Sequence, residues 1–237
     1  MHIELHIHNY IIMNILTVAD CHGYLNYDIL KNHLDLAKNL TDDIFDIIIF
    51  LGDNTSNDIR IIIQYMKEKN LNVPCIGILG NHDSNKVLEE NNIENIHLKI
   101  KIINNIKFGG FEGSIIYKNY GSISYTHQES FELLDYFPEC DVFISHSNPQ
   151  FWKYKKEEIK ENLFEYIIRK INNKPKPYTF VQQPLQSDVH SGLIGIGEYI
   201  NQKKPKYVFH GHIHTNKIYK INDTKIFSCY GVQIIKI

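Results

Sequence analysis

Arginine is almost missing from this chain: in 237 residues only Arg60 and Arg169 carry a guanidinium. A bidentate arginine clamp on a substrate phosphate is therefore at best improvised. A large excess of one charge is missing too, with 25 Lys plus Arg against 27 Asp plus Glu and a formal net charge of -2. That balance argues against a generic polyanion binder, whose surface needs a basic excess, and makes long nucleic acid an unexpected partner. No apolar run approaches the roughly 18–20 residues of a membrane-spanning helix, so no membrane partner is expected. The richest runs, Ile15 to Ala19 and Ile47 to Leu51, are strand-sized. Residues 1–12 hold three histidines (His2, His6 and His8) and do not read as a secretory signal, lacking its basic start and long apolar stretch, and a cytoplasmic location is the expectation. Cysteine is sparse: Cys21, Cys75, Cys140 and Cys229 are far apart, fit no zinc-ribbon spacing and read as reduced thiols. What remains is 43% hydrophobic and 22% charged, enough apolar material for a sizeable core and too much for a disordered chain.

Short buried-strand patterns alternate with helical ones. Asn14 to Asp20 reads as a strand, followed by a helix over Tyr24 to Leu40 with Leu25, Ile29, Leu30, Leu34, Ala37 and Leu40 at helical spacing. Asp46 to Gly52 is a continuous apolar run that suits a strand covered on both faces. A helix over Asn57 to Asn70 and a strand over Pro74 to Leu79 complete a βαβαβ rhythm, which implies parallel strands and an α/β class. Residues 96–126 shift to short strand-like pieces. A helix over Ser130 to Tyr136 leads into the strand Asp141 to Ser145. Lys206 to His210, Asn216 to Ile221, Lys225 to Tyr230 and Val232 to Ile237 return to β structure, with the final hairpin expected in a second sheet. Residues 13–237 are read as one domain and residues 1–12 as an extension. An insertion stands out at about 147–190, with a helix expected around Glu157 to Ile171. Its segment 151–178 holds seven lysines and Arg169 against four glutamates, interleaved with Trp152, Tyr154, Phe164 and Tyr166. A solvated helix with a packed aromatic face explains that pattern; a lid that sets substrate choice over a nearby site is the sharper reading.

The chemistry-bearing residues follow the strands. Asp20-Cys21-His22, Gly52-Asp53-Asn54, Gly80-Asn81-His82-Asp83, Ser145-His146 and Gly211-His212-Ile213-His214 each lie just past the carboxyl end of an expected strand. In open α/β sheets that edge is where sites are built. Singly, each piece is weak: Asp-x-His is commonly a surface turn, Gly-Asn-His-Asp an ordinary turn, and a lone histidine a hydrogen-bonded core residue. Five such clusters on one edge point instead to a metal site. Imidazole with carboxylate suits manganese first, with iron, zinc or nickel as alternatives, whereas an all-oxygen shell would suit magnesium or calcium.

The ordered set D-x-H, G-D, G-N-H-D, H and G-H-x-H resembles the calcineurin-like metallophosphoesterase superfamily, from about Asn14 to the C-terminus. The resemblance implies a four-layer α/β/β/α sandwich with two mixed sheets and flanking helices, enclosing two divalent metal ions. It implies that Asp20, His22, Asp53 and His214 hold one ion, that Asp53, Asn81, His146 and His212 hold the other, and that Asp53 bridges them. The activity implied is hydrolysis of phosphomonoesters or phosphodiesters, with a metal-bridging hydroxide as nucleophile and a phosphate-ester small molecule or nucleotide as substrate. Two carboxylates against two divalent ions leave a net charge of about +2, which favours a phosphate and acidifies bound water. His82 occupies the family's acid position, where protonating the leaving alkoxide is worth about 10²–10⁴ in rate; a turn-capping role is the plainer alternative. Asp83 is read chiefly as a turn residue.

The sequence also departs from part of that family. Its serine/threonine phosphatases carry G-D-x-x-D-R-G, where this chain has Gly52-Asp53-Asn54-Thr55-Ser56-Asn57. Neither the aspartate that supports the acid histidine nor the phosphate-binding arginine is present, so that subgroup is disfavoured. His190 is a candidate for the substrate side of the metals, set against a structural role in its loop. His210 is expected to face away from the site, and His33 and Cys21 to be packing residues. A non-catalytic interaction scaffold and a nuclease for short oligonucleotides remain as alternative functions; the oligomeric state is left open.

Overall fold

A computed structural model of the protein describes residues 13–40, 45–117, 123–151, 155–158, 170, 178–181 and 190–237. The first sheet is built from β1 (Asn14–Ala19), β2 (Ile47–Phe50), β3 (Cys75–Gly77), β4 (Glu94–Asn95) and β15 (Gly231–Lys236), in the order β15-β1-β2-β3-β4. β1 to β4 are mutually parallel, and β15 pairs antiparallel with β1. The second is built from β5 (Ile100–Ile103), β6 (Ile106–Phe111), β9 (Val142–Ser145), β12 (Tyr207–His210), β13 (Lys217–Ile221) and β14 (Thr224–Ser228), in the order β13-β14-β12-β9-β6-β5. Here β6, β9, β12 and β14 are parallel, and β5 and β13 are antiparallel edges. Between β6 and β9 the chain forms a short parallel pair, β7 (Ser114–Ile115) with β8 (Ser124–Tyr125).

Alternation along the central strands explains the layers. On β1 and β2, Ile15, Ala19, Ile47 and Ile49 pack with Phe108, Val142, Ile144 and Phe209 between the two sheets. Their neighbours Leu16, Val18, Ile48 and Phe50 point the other way, against Leu30 and Leu34 of α1 (Tyr27–Leu40) and Ile59, Ile62 and Tyr65 of α2 (Ser56–Glu68). On the far side, Phe111, Phe143, Val208 and Ile226 meet Leu134 of α3 (His127–Asp135) and Ile196, Tyr199 and Ile200 of α4 (Ile194–Lys203). The result is the expected α/β/β/α sandwich, with each central strand apolar on both faces because both faces are covered.

Several expectations are corrected. The last hairpin splits between sheets: β14 stays beside β12, while β15 crosses to the edge of β1. Where a helix was expected from Glu157, Lys155–Glu158 forms strand β10, antiparallel to β11 (Tyr178–Val181). The Tyr-Thr-Phe-Val partner is a strong strand former, and pairing with it overrides the polar segment's own preference. Lys170 is helical, and the remainder of that expected helix, Trp152, Tyr154, Phe164, Tyr166, Pro175, Pro177 and Pro184, and residues 1–12 with His2, His6 and His8 lie outside the described residues. Ile29 is 71% exposed and His33 is also exposed, so neither packs. The buried stripe of α1 runs through Leu30 and Leu34, and positions 29 and 33 are rotated about 100° away from it. Among the described residues no helix is long and apolar enough to cross a membrane, and all four cysteines are free.

Candidate metal centre

The parallel strands deliver their next residues to one edge. Asp20 follows β1, Asp53 follows β2, Asn81 and His82 follow β3, His146 follows β9, and His212 and His214 follow β12. To bring side chains inward there, the backbone turns sharply. Asp20, His22, Asp53, His212 and His214 all take left-handed conformations, with φ of 53, 48, 54, 69 and 49 degrees. Such conformations are costly for residues with a Cβ and gather at sites whose surroundings enforce them. The loops brace one another through backbone hydrogen bonds: Asp20 N donates to Gly52 O, His22 N to Asp53 O, and Gly211 N to His146 O.

Two carboxylates outside the cluster hold its frame. Asp83 accepts from Gly80 N at 2.7 Å, Asp53 N at 2.9 Å and Asn54 N at 2.9 Å, tying the loop after β3 to the loop after β2. Burial nevertheless pushes its carboxyl up to about 6. Asp58, fully buried, accepts from Gly23 N, Leu25 N, Thr55 N and the Thr55 hydroxyl, and so fastens the loop carrying His22 to the start of α2. Thr55 and Asp58 form a capping box, and Thr-x-x-Asp before an apolar run was the sequence signal for it. Gly80 is required by proximity, since a Cβ there would sit 2.1 Å from Asp53 Oδ1.

Lone pairs converge inside this frame. His146 is wholly buried, and its Nδ1 lies 2.8 Å from the Leu51 carbonyl oxygen, which can only accept. In the neutral ring Nε2 is then unprotonated, yet it faces Asn81 Oδ1 at 3.0 Å and Asp53 Oδ2 at 3.5 Å. Asp53 Oδ2 also lies 3.8 Å from His22 Nε2, so one oxygen stands between two imidazoles. His22 Nε2 and His214 Nε2 are 3.3 Å apart, and His214 Nε2 is 3.6 Å from Asp20 Oδ1. That last oxygen is buried with no hydrogen-bond partner, while Asp20 Oδ2 accepts from His212 N at 2.9 Å. Among the described residues, two groups have one ligand atom per residue within 4.8 Å of each other and could hold a metal ion: Asp20, His22 and His214, and Asp20, Asp53 and His146.

Charge follows the geometry. Burial pushes the Asp20 carboxyl up to about 7, only partly countered by His146. Burial acts upward on Asp53 as well, but the adjacent His146 and the Asp53 hydrogen bonds reverse it and hold Asp53 below the usual carboxylate range. Conversely, burial would lower His146, and Asp53 holds it above the usual imidazole range. Without a cation, a proton on His146 balances the buried carboxylate.

His212 is buried with its ring 5.0 Å from that of His146. His82 lies at the mouth: it is exposed, its backbone N donates to Asp53 Oδ1 at 2.8 Å, and its ring is 5.6 Å from His22. His190 comes to the same edge, exposed, its Nδ1 donating to His212 O at 3.1 Å and its ring 5.4 Å from His212 and 6.0 Å from His214. His210 is buried and bonds Gly211 O and the Tyr219 hydroxyl, away from the cluster. Cys21 packs beneath the site, its thiol pushed up by burial. One neighbour had no sequence signal: the Tyr117 hydroxyl lies 2.9 Å from Asn81 Nδ2 and 3.2 Å from His82 Nε2.

The family described as calcineurin-like phosphoesterase matches residues 13–216. This chain belongs to that family. Calcineurin-like phosphoesterases act on phosphate esters and typically bind divalent metals, and the Asp and His groups above could hold such an ion. Among solved structures, TT1561 of Thermus thermophilus matches with a TM-score of 0.54 at 13% identity, over 95% of this chain and 99% of that one, a likeness of fold. A phosphatase from Mycoplasma pneumoniae matches with a TM-score of 0.46 at 13% identity, over 93% of this chain and 72% of that one. An archaeal phosphodiesterase matches with a TM-score of 0.39 at 13% identity, over 95% of this chain and 100% of that one. None of the curated proteins compared with the chain matches it.

Proposed function

We propose that this calcineurin-like phosphoesterase is a dinuclear-metal-dependent hydrolase of phosphomonoesters or phosphodiesters, and that residues 13–237 form its catalytic domain. The observation that carries the reading is the set of lone pairs around Asp53 Oδ2, which faces His146 Nε2 at 3.5 Å and His22 Nε2 at 3.8 Å. Buried acceptors that face one another are costly unless a proton, held on His146 in the metal-free protein, or a cation lies between them. Asp20, His22, Asp53 and His214 would hold one ion, and Asp53, Asn81, His146 and His212 the other, with Asp53 common to both. Mixed imidazole and carboxylate donors favour manganese, with iron, zinc or nickel as alternatives. When bound, two such ions supply Lewis acidity toward phosphoryl oxygens and lower the pKa of water.

The chain's own residues do the rest. The Leu51 carbonyl fixes the His146 tautomer so that Nε2 presents a lone pair, the usual outer-shell device for a metal-binding histidine. Asp83 and Asp58 keep the ligand loops in place before any substrate arrives. His82, exposed and anchored through its backbone to Asp53 Oδ1, delivers a proton to the leaving oxygen or binds a phosphoryl oxygen. His190 flanks the same mouth and contacts the substrate side. A small phosphate ester or nucleotide fits the near-neutral charge of the chain better than a long polymer. The four free thiols support a cytoplasmic setting.

The test is a panel of mono-, di- and cyclic phosphate esters assayed in Mn²⁺, with metal content measured alongside. Hydrolysis is expected, lost in Asp53→Asn and after EDTA. His82→Ala is expected to lower turnover about 10²–10⁴-fold while keeping its metal. Full metal occupancy without turnover on any ester would overturn the enzymatic reading and favour an interaction scaffold.

A further inference from the structure

We propose that Tyr230 is the positioning residue of His214, holding the plane of its imidazole by stacking, and that Asn216 straps Tyr230 in place. The inference rests on the proposed dinuclear centre and concerns how one of its ligands is aimed. His146 needs no such help, being wholly buried with Nδ1 against the Leu51 carbonyl. The His214 side chain is 43% exposed and stands on a left-handed residue outside any strand. Its Nε2 is nevertheless kept 3.6 Å from Asp20 Oδ1 and 3.3 Å from His22 Nε2. A flat surface laid against the ring does this while leaving both ring nitrogens to other partners. Tyr230 supplies that surface, its ring stacked on that of His214 with centroids 5.1 Å apart and planes inclined by 18°, within the range aromatic pairs favour.

Tyr230 stands here because the chain passes from one sheet to the other at this point. β14 runs parallel to β12 and ends at Ser228 on the carboxyl edge of the second sheet, and β15 begins at Gly231 on the edge of the first. Gly231, at φ 69°, takes the left-handed conformation that the passage requires. It pairs with Ala19, so the next position of the antiparallel register sets Tyr230 level with Asp20. Asn216 then secures it, Oδ1 accepting from Tyr230 N at 2.7 Å and Nδ2 donating to Tyr230 O at 3.3 Å. Both ends of one amide thus grip the backbone of one residue, from a position two residues past His214. Ser228 Oγ donates to Thr215 O at 2.7 Å and Cys229 N to His210 O at 2.8 Å, tying the same stretch to the His214 loop on either side.

The test is calorimetric titration of the EDTA-treated full chain with Zn²⁺, comparing wild type with Tyr230→Leu, Tyr230→Phe and Asn216→Ala. Wild type is expected to take up two ions. Tyr230→Leu is expected to weaken one binding step about tenfold, the loss of an outer-shell partner, and the other step much less. Tyr230→Phe keeps the aromatic face and should bind both ions as wild type does. Asn216→Ala should weaken the same step, and adding it to Tyr230→Leu should cost nothing further. In metal-free wild type the His214 ring protons, assigned against His214→Gln, should be shifted upfield by the Tyr230 ring current; this measurement decides the contact even where Tyr230→Leu does not fold. Unchanged Zn²⁺ binding by Tyr230→Leu would overturn the proposal, as would equal weakening of both steps, a loss in Tyr230→Phe as large as in Tyr230→Leu, or unshifted His214 protons. Wild-type protein that takes up no Zn²⁺ would overturn the dinuclear centre itself, and this inference with it.

Discussion

His146 turns its Nδ1 to the carbonyl oxygen of Leu51, 2.8 Å away at the end of β2, and thereby aims Nε2 at Asp53 on the same loop. The strand that supplies the Asp53 carboxylate thus also orients the histidine opposite it. Cation binding should stabilise the fold, because it compensates Asp20 Oδ1 and the left-handed residues around it. At a metal concentration of 100 times Kd the gain is about 2.7 kcal/mol, or about 5–10 °C in Tm for a chain of this size. Differential scanning fluorimetry of EDTA-treated protein with added Mn²⁺ checks this, and Asp53→Asn should lose most of the shift.

Metal uptake should weaken in acid. The Asp20 carboxyl, raised to about 7 by burial, is protonated below that pH and must lose its proton to bind a cation. Affinity should fall about tenfold for each pH unit below 7 and level off above it, apart from the further proton held on His146. Calorimetric Zn²⁺ titrations at pH 6 and pH 8 in buffers of different ionisation enthalpy read both the affinity and the protons released.

Asp83→Asn should be damaging although Asp83 is not a ligand in the proposed centre. An amide has one acceptor oxygen for the N–H groups of Gly80, Asp53 and Asn54, and its own NH₂ would face a donor. Urea unfolding of the metal-free protein is expected to show a loss of about 2–4 kcal/mol. Because the Asp53 backbone is one of the groups released, metal affinity should fall with it.

His127 supplies a pH signature remote from the metals. It is buried at the start of α3, accepts from Ile194 N at the start of α4, and burial lowers its pKa. The unfolded chain, with an ordinary value of about 6.5, then binds the proton more readily than the folded one. This group's contribution is complete above pH 6.5 and declines as the pH falls below it. Comparing urea midpoints of wild type and His127→Asn at pH 7.5 and 5.5 isolates it, and the variant should show the smaller acid loss.

Much of the candidate site was legible because each buried strand is a continuous apolar run, so the polar cluster after it marks the sheet's carboxyl edge. Asp20, Asp53, Asn81, His146, His212 and His214, which the fold brings to one edge, were all singled out this way. Tyr117 was not, since it lies beyond the two-residue strand β7 and reaches His82 only through the fold. The sheet assignment of β15 was equally hidden: Gly231 to Lys236 reads as a strand, but nothing local tells which sheet edge it completes. His33 shows the opposite error, where a helical pattern was extended to a residue that falls just outside the buried stripe.

Pairing of β15 with β1, from Asn14 opposite Lys236 to Ala19 opposite Gly231, has a kinetic consequence. The strand that leads to Asp20 gains one of its two neighbours from a segment some two hundred residues later in the chain, so this edge cannot be assembled until that segment has been made. Such distant pairing slows folding and leaves β1 open to wrong partners in the meantime. Competence to capture ions should therefore appear abruptly, once β15 has paired, rather than accumulate as each histidine emerges.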